Sequence, residues 1–177
     1  MNKVLIIVDM QNDFISGSLK SEDAFKIIPN IVSKIKEYQK NNNLIIVTQD
    51  THDENYLNTQ EGRNLPIPHC LKNSFGHEIQ KDIKEALQDD FLVFEKKCFG
   101  SLELANWLKD YYNYHPDLEI ELVGVCTDIC VISNAILIKN FLSEVKVIVD
   151  SKCCSGVTLK SHNNALEAMK MCQIIVI

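Results

Sequence analysis

The chain has 177 residues, 46% of them hydrophobic, and this length and composition predict a single domain over residues 1–177 with a sizeable core. Its net charge of −6 and its scattered lysines exclude the basic stripe that nucleic-acid-binding proteins present. Seven cysteines, an odd number, indicate reduced thiols rather than a disulfide framework. The first apolar run, Val4–Val8, is too short to span a membrane and has no cleavage site after it, so we expect a soluble, cytoplasmic protein.

Six short apolar runs, rich in β-branched residues, predict the strands of a sheet. The runs are continuous and show no alternation of polar and apolar residues, which is typical of parallel strands buried on both faces. They are Val4–Val8, Leu44–Val47, Phe91–Phe94, Ile120–Val125, Val145–Val149 and Ile174–Ile177.

Amphipathic segments between these runs predict helices, so the pattern indicates an α/β fold with helices on both faces of a doubly wound sheet. The long stretch Thr51–Gly76 has no clear periodicity, and an irregular segment of that length inside a compact domain is usually functional. The predicted helices are Ala24–Tyr38, Ile79–Leu87, Leu102–Tyr111 with Ser101 as its N-cap, Asp128–Phe141 and Thr158–Met171.

Reactive side chains follow the first four predicted strands. Asp9 comes after the first strand, Asp50 after the second, Lys96 after the third, and Cys126 and Cys130 after the fourth. In an open α/β sheet, ligands bind beyond the carboxyl ends of the strands. We therefore expect these residues to meet at one edge of the sheet.

The group indicates nucleophilic catalysis by a cysteine. Cys130 falls in the first turn of a predicted helix with Thr127 as its N-cap, a position that lowers a thiol pKa and offers N–H groups to an oxyanion. Asp9 is placed to take the thiol proton and return it to a leaving amine, while Lys96 would favour the ionised forms. The residue pattern alone does not decide whether Cys126 or Cys130 is the nucleophile.

A second cluster has the composition of a metal site. Asp50 and His52 stand one residue apart at a strand end, and Glu61 and His69 follow in the long loop. Two imidazoles and two carboxylates suit Zn, Fe or Mn, whereas the alternative is an ordinary polar surface loop. The other histidines are interpreted as surface or capping residues: His77, His115 and His162.

Five motifs together resemble the nicotinamidase branch of the isochorismatase-like cysteine hydrolases. The resemblance spans most of the chain with the motifs in the correct order, and it implies a three-layer αβα sandwich around a six-stranded, mainly parallel sheet. The motifs are VDMQNDF (8–14), TQDTHD (48–53), EGRNLPIPHC (61–70), EKKCFGSL (95–102) and GVCTDICV (124–131).

The resemblance assigns roles that the residue pattern left open. It implies that Cys130 is the nucleophile, Asp9 the general base and Lys96 the third member of the triad. It also implies a cis peptide between Val125 and Cys126, with the N–H groups of Cys126 and Cys130 forming an oxyanion hole.

The same resemblance implies a bound divalent metal ion, such as zinc. Asp50, His52 and His69 match the metal ligands of nicotinamidases, and Glu61 matches a ligand position that varies between Glu and His. In such a site the metal contacts the ring nitrogen of a small-molecule amide.

Two residues bear on the substrate. Phe14 matches an aromatic residue that flanks the substrate ring, but Pro66 stands where nicotinamidases often have another aromatic. An amidase acting on an N-carbamoyl or ureido compound is therefore an alternative, and it would tolerate loss of His52 and His69. A non-catalytic binding module is a remote alternative. The family also leads us to expect a homo-oligomer.

Overall fold

In a computed structural model, which describes residues 2–177, the chain forms one six-stranded sheet in the order β3-β2-β1-β4-β5-β6. Neighbouring strands in this described part of the chain all pair in parallel. The predicted α/β class and six-stranded parallel sheet are therefore confirmed. The strands are β1 (Lys3–Val8), β2 (Leu44–Asp50), β3 (Leu92–Lys96), β4 (Glu119–Val125), β5 (Lys146–Ser155) and β6 (Ile175–Val176).

The helices cover both faces of the sheet and complete the predicted three-layer sandwich. Apolar residues of α2, α3 and α5 pack on one face, and those of α6, α7 and α8 pack on the other. No helix formed by residues 2–177 is both long and apolar enough to cross a membrane. The helices are α1 (Asn12–Ile15), α2 (Glu22–Lys26), α3 (Ile28–Lys40), α4 (Gln60–Asn64), α5 (Lys81–Leu87), α6 (Leu102–Tyr112), α7 (Ile132–Phe141) and α8 (Leu159–Met171).

The central strand β1 is buried on both faces because its side chains alternate between two hydrophobic clusters. Val4, Ile6 and Val8 join the cluster packed against α6–α8. Leu5 and Ile7 join the cluster packed against α2, α3 and α5. A strand of this kind needs apolar residues at every position, which explains why the run in the sequence shows no alternation.

The prediction of one continuous helix over Ala24–Tyr38 is wrong, because the segment forms two helices, α2 and α3, which meet at Ile27. Pro29 lies in the first turn of α3. A proline is tolerated there, since the first N–H groups of a helix have no helical partner. Inside one longer helix it would remove a hydrogen bond and clash with the preceding turn.

The stretch Thr51–Gly76 is more ordered than the sequence indicates. It contains a 3₁₀ turn at Tyr56–Asn58 and the short helix α4, whose N-cap Thr59 accepts a hydrogen bond from the Gly62 N–H at 3.0 Å. A five-residue helix is too short to show a periodic apolar face, so its pattern could not be read from the sequence. The predicted N-cap Ser101 is confirmed at α6.

A buried ion-pair cluster joins α3 to the sheet. Lys34 Nζ lies 2.6 Å from Glu121 Oε1 and 2.7 Å from Asp150 Oδ2. Burial alone would raise the pKa of the Asp150 carboxyl, but the hydrogen bond and charge of Lys34 outweigh burial and lower that pKa. A carboxyl group whose pKa falls on folding stabilises the fold above its unfolded pKa of about 4, and this contribution is lost as the pH falls through the folded pKa.

We therefore expect the free energy of unfolding to decrease as the pH drops below about 4. The Asp150→Asn variant should lose about 1–3 kcal/mol of stability at pH 7, because only Glu121 then remains to neutralise the charge of Lys34. It should also lose less stability than the wild type between pH 7 and pH 3. Urea unfolding at the two pH values checks both, and a variant as stable as the wild type at pH 7 would contradict them.

Candidate active site

The carboxyl ends of β3, β2, β1 and β4 are neighbours in the sheet, and the predicted reactive residues meet there. Asp50 and Lys96 are the last residues of β2 and β3, so both strands run further than the apolar runs predict. Asp9 follows β1 directly with a positive φ of 50°. Cys130 lies in the turn after β4. The expectation that these residues meet at one edge of the sheet is therefore confirmed.

Lys96 connects the acid and the thiol. Its Nζ lies 2.7 Å from Asp9 Oδ2, 3.5 Å from Cys130 Sγ and 3.3 Å from Asp50 Oδ1. Asp9 Oδ1 accepts a hydrogen bond from Thr48 Oγ1 at 2.7 Å. Asp9 Oδ2 faces the ammonium as an ion pair but has no hydrogen bond of regular geometry. These side chains are buried, so water screens their charges little.

Burial raises the pKa of both the Cys130 thiol and the Asp9 carboxyl. The charge of Asp9 raises the Cys130 pKa further, and the charge of Lys96 opposes the rise at both groups. Burial would lower the pKa of Lys96, but Asp9 and Cys130 raise it, which keeps the ammonium charged. The expectation of a lowered thiol pKa is wrong for this resting site, because desolvation outweighs the favourable charge.

Cys130 sits in a π-helical turn rather than at the start of an α-helix. Residues Thr127–Val131 form this turn before α7 begins, and the carbonyl oxygen of Cys126 accepts two of its N–H groups at 3.0 Å each. The prediction of Thr127 as an N-cap is wrong, because its Oγ1 instead shares a 2.8 Å hydrogen bond with His162 Nδ1. His162 is therefore more than a surface residue, since it supports the turn.

Close packing of β4 on β1 sets the path into this turn. The peptide between Val125 and Cys126 is cis, as the family resemblance implied. Gly124 has a φ of 119°, and a Cβ there would lie 2.2 Å from the carbonyl oxygen of Val8. Glycine therefore allows the ends of the two strands to approach. The oxyanion hole formed by the N–H groups of Cys126 and Cys130 stays a prediction.

The four predicted metal ligands come together beside Lys96. Asp50 Oδ2 lies 2.9 Å from His52 Nε2 and 3.4 Å from His69 Nε2. Glu61 Oε1 lies 3.9 and 3.8 Å from the same two nitrogens, at a side chain that is 24% exposed. One donor atom each from Asp50, His52 and His69 lies within 4.8 Å of the others, so this donor set fits a divalent ion.

The orientation of His69 and the ionisation of Asp50 suit metal binding. His69 Nδ1 donates to the carbonyl oxygen of Ile67 at 2.9 Å, so Nε2 is the ring nitrogen that faces Asp50 Oδ2, at 3.4 Å, and would bind an ion once its proton is released. Burial would raise the pKa of Asp50, but hydrogen bonds from His52 and His69 and the charge of Lys96 hold it well below its usual range. Asp50 is therefore ionised, as a carboxylate ligand must be.

Gln11 and His77 hold the backbone that carries Asp50. Gln11 Oε1 accepts the Asp50 N–H at 2.8 Å, and its Nε2 donates to the carbonyl oxygens of Asp50 and His77 at 2.9 Å each. His77 Nε2 shares a 2.9 Å hydrogen bond with Thr51 Oγ1. The interpretation of His77 as a surface or capping residue is wrong, since it is buried. His115, in contrast, stacks on Tyr111 away from the site.

A cavity of about 460 Å³ opens onto Cys130 and onto three of the predicted metal ligands, Asp50, Glu61 and His69. Phe14 forms part of its wall, and its ring meets the His69 ring edge-on at 5.7 Å between centroids; that it flanks a substrate ring stays a prediction. Pro66 is exposed, and its neighbour Leu65 lines the cavity instead. Apolar wall residues that sequence reasoning missed are Leu19, Leu65, Phe99, Ile129 and Val157.

Several known proteins resemble this chain in sequence and in structure. A nicotinamidase of Saccharomyces cerevisiae is 26% identical over 84% of this chain and 86% of its own. An uncharacterized isochorismatase family protein of Bacillus subtilis is 28% identical over 94% of this chain and 93% of its own. The crystal structure of a Pyrococcus horikoshii pyrazinamidase in complex with zinc has a TM-score of 0.83 and 28% identity, and it covers 100% of this chain and 99% of its own. The isochorismatase domain model matches residues 3–177. This chain belongs to the isochorismatase family.

Proposed function

We propose that this chain is a cytoplasmic amidase that hydrolyses nicotinamide to nicotinate and ammonia through a thioester on Cys130, a reaction that feeds NAD salvage. One observation carries the proposal. Lys96 Nζ contacts both Asp9 Oδ2, at 2.7 Å, and Cys130 Sγ, at 3.5 Å, beside the cavity lined by Asp50 and His69. The nicotinamidases among the similar proteins support the same substrate. The expected homo-oligomer stays a prediction.

The first half-reaction forms the thioester. Asp9 takes the proton of the Cys130 thiol as the sulfur attacks the carboxamide carbon, so the C–S bond forms while the carbonyl oxygen becomes an oxyanion. The N–H groups of Cys126 and Cys130 would stabilise that oxyanion. When the oxyanion collapses, the C–N bond breaks, and the nitrogen leaves as ammonia with the proton that Asp9 held.

The second half-reaction releases the acid. Asp9, again ionised, takes a proton from water as the water oxygen attacks the thioester carbon. The C–S bond then breaks, and the sulfur of Cys130 recovers the proton from Asp9. The raised pKa of Asp9 suits it to accept protons in both steps. Lys96 stabilises the negative charge both when it lies on Asp9 and when it lies on the sulfur of Cys130.

Asp50, His52 and His69 would hold a divalent ion, with Glu61 as the fourth protein ligand. Imidazole and carboxylate donors suit zinc, and the Pyrococcus horikoshii relative was crystallised with zinc. When bound, the ion supplies a Lewis acid that orients the pyridine nitrogen of the substrate. Phe14 and Leu65 line the cavity and would enclose the substrate ring between this cluster and Cys130.

We expect zinc-loaded protein to release ammonia from nicotinamide, and we expect a chelator or the His69→Ala substitution to reduce kcat/KM by roughly 100-fold or more. An ammonia assay checks this before and after the chelator, with zinc added back. His115→Ala is the matched control, because His115 stacks on Tyr111 and touches no ligand.

The opposite outcome would favour the alternative substrate class. The proposal is supported if nicotinamide turnover is lost in His69→Ala and in chelated protein but is kept in His115→Ala and in the zinc-loaded wild type. Hydrolysis of an N-carbamoyl or ureido compound, unaffected by the chelator and by His69→Ala, would overturn it.

A further inference from the structure

The carboxylate of Asp13 joins separate segments of the cavity wall. Its Oδ2 accepts the backbone N–H of Cys70 at 2.7 Å, and its Oδ1 accepts that of Ser18 at 3.0 Å. Asp13 directly precedes Phe14, which lines the cavity, and Cys70 directly follows His69. One carboxylate thus connects the aromatic wall, the loop after α1 and the loop that carries a proposed metal ligand.

Two glycines leave the space that this carboxylate occupies. A Cβ at Gly76 would lie 1.9 Å from Asp13 Oδ2, and a Cβ at Gly17 would lie 2.2 Å from Asp13 Oδ1. Real Cβ atoms do not approach oxygen so closely, so any other residue at either position would displace the carboxylate. The chain therefore makes room for Asp13 from two separate segments, the loop after α1 and a 3₁₀ helix at Phe75–His77.

The bond to Cys70 acts at a strained point of the backbone. Cys70 has a φ of 46°, a left-handed conformation that side chains other than glycine adopt at a cost. The loop turns there immediately after His69, whose ring meets the Phe14 ring at 5.7 Å. The Asp13 carboxylate holds this turn at the Cys70 N–H, while the Cys70 carbonyl oxygen accepts the His52 N–H at 3.0 Å on the other side.

We propose that Asp13 is a positioning residue that sets the His69 imidazole against the Phe14 wall, and so controls metal affinity and the binding of the substrate ring. The inference rests on the proposed function. It goes further because it assigns Asp13 to the binding of the metal and the substrate ring, and not to the reaction at Cys130. Asp13 holds one side of the cavity. Asp9, Lys96 and Cys130 are held independently by strand ends and by the π-helical turn, so their reaction with a bound amide depends little on Asp13.

The Asp13→Asn variant tests this role. An amide of the same shape has one oxygen in place of two, so it cannot accept both the Cys70 and the Ser18 N–H groups. We expect its zinc affinity to fall about tenfold, the usual effect of losing a residue that orients a metal ligand. The KM for nicotinamide should rise by a similar factor of about ten, with a smaller change in kcat. Competition with a chromogenic chelator and steady-state kinetics measure the two effects.

Asp150→Asn is the matched control for a general loss of stability. Asp150 is also a partly buried carboxylate, which accepts the Lys152 N–H at 3.0 Å and pairs with Lys34, but it does not line the cavity. This variant should unfold more easily while it keeps the zinc affinity and the KM of the wild type.

Gly76→Ala provides a second variant that leaves Asp13 in place. Its methyl group should displace the carboxylate and lower the zinc affinity as Asp13→Asn does. In an Asp13→Ala background the same substitution should lower zinc affinity by less than twofold, because the overlapping group is gone. Equal effects of Gly76→Ala in the two backgrounds would overturn the proposed space-filling relation.

Zinc affinity is measured without substrate, so a failure of the proposed function can be distinguished from a failure of the proposed role of Asp13. Wild-type protein that binds zinc but hydrolyses no nicotinamide would contradict the proposed function alone. The role of Asp13 is overturned if Asp13→Asn keeps wild-type zinc affinity and KM, if Asp150→Asn weakens zinc binding equally, or if the wild type binds no zinc.

Discussion

The Cys130→Ala variant should release ammonia from nicotinamide at least roughly 10⁴-fold more slowly than the wild type, because it lacks the sulfur that forms the proposed thioester. Its fold should be unchanged, since removal of one buried sulfur atom leaves only a small space in the cavity wall. Ammonia release at saturating nicotinamide measures the rate, and a thermal unfolding curve confirms the fold.

Cys126→Ala is the matched control. Both thiols line the same cavity and stand four residues apart in the sequence, but only Cys130 Sγ lies within 3.5 Å of Lys96 Nζ among the contacts of the described residues. The proposed contribution of Cys126 is its backbone N–H, which alanine retains. We expect the rate to change less than about tenfold. A loss of activity in Cys126→Ala with an active Cys130→Ala protein would reverse the assignment.

The Lys96→Met variant should lose both stability and activity. Asp9 and Asp50 both face the ammonium, at 2.7 and 3.3 Å, so its removal leaves two buried carboxylates with no cation between them. Breaking a buried ion pair from one side costs about 3–5 kcal/mol. The pKa of Asp9, which burial already raises, should rise further. A protonated Asp9 cannot take the thiol proton, so kcat should fall about 10³-fold.

The double variant Asp9→Asn, Lys96→Met separates these two effects. It removes both charges of the pair, so much of the lost stability should return relative to Lys96→Met, while activity should stay absent. Urea unfolding and the ammonia assay are compared across the wild type, both single variants and the double variant. A Lys96→Met protein with wild-type stability and turnover would show that the ammonium does not hold Asp9 ionised.

The sequence was sufficient to place the reactive residues at one edge of the sheet. Continuous apolar runs marked the strands, and in a parallel sheet every carboxyl end faces the same side, so Asp9, Asp50, Lys96 and Cys130 had to lie near one another. The positions of the strand ends could not distinguish Cys126 from Cys130, because both thiols follow the same strand. The family resemblance assigned the nucleophile to Cys130.

Features that depend on contacts between distant segments were not predictable. The hydrogen bonds between Gln11 and the backbone of Asp50 and between Thr127 and His162 join residues that are 39 and 35 positions apart. The cavity wall includes Phe99 and Val157, apolar residues in loops that show no periodic pattern. The thiol pKa was predicted in the wrong direction because burial, which the sequence does not reveal, raises the pKa of Cys130 more than the charge of Lys96 lowers it.

The central claim is that nicotinamide is hydrolysed through a thioester on Cys130. Acid quenching during turnover, followed by mass spectrometry of the digested protein, tests it most directly. The account predicts the mass of a nicotinoyl group on the peptide that contains Cys130, and its absence when Cys130→Ala protein is treated in the same way. Steady ammonia release with no acylated peptide, or with the adduct on Cys126, would contradict it.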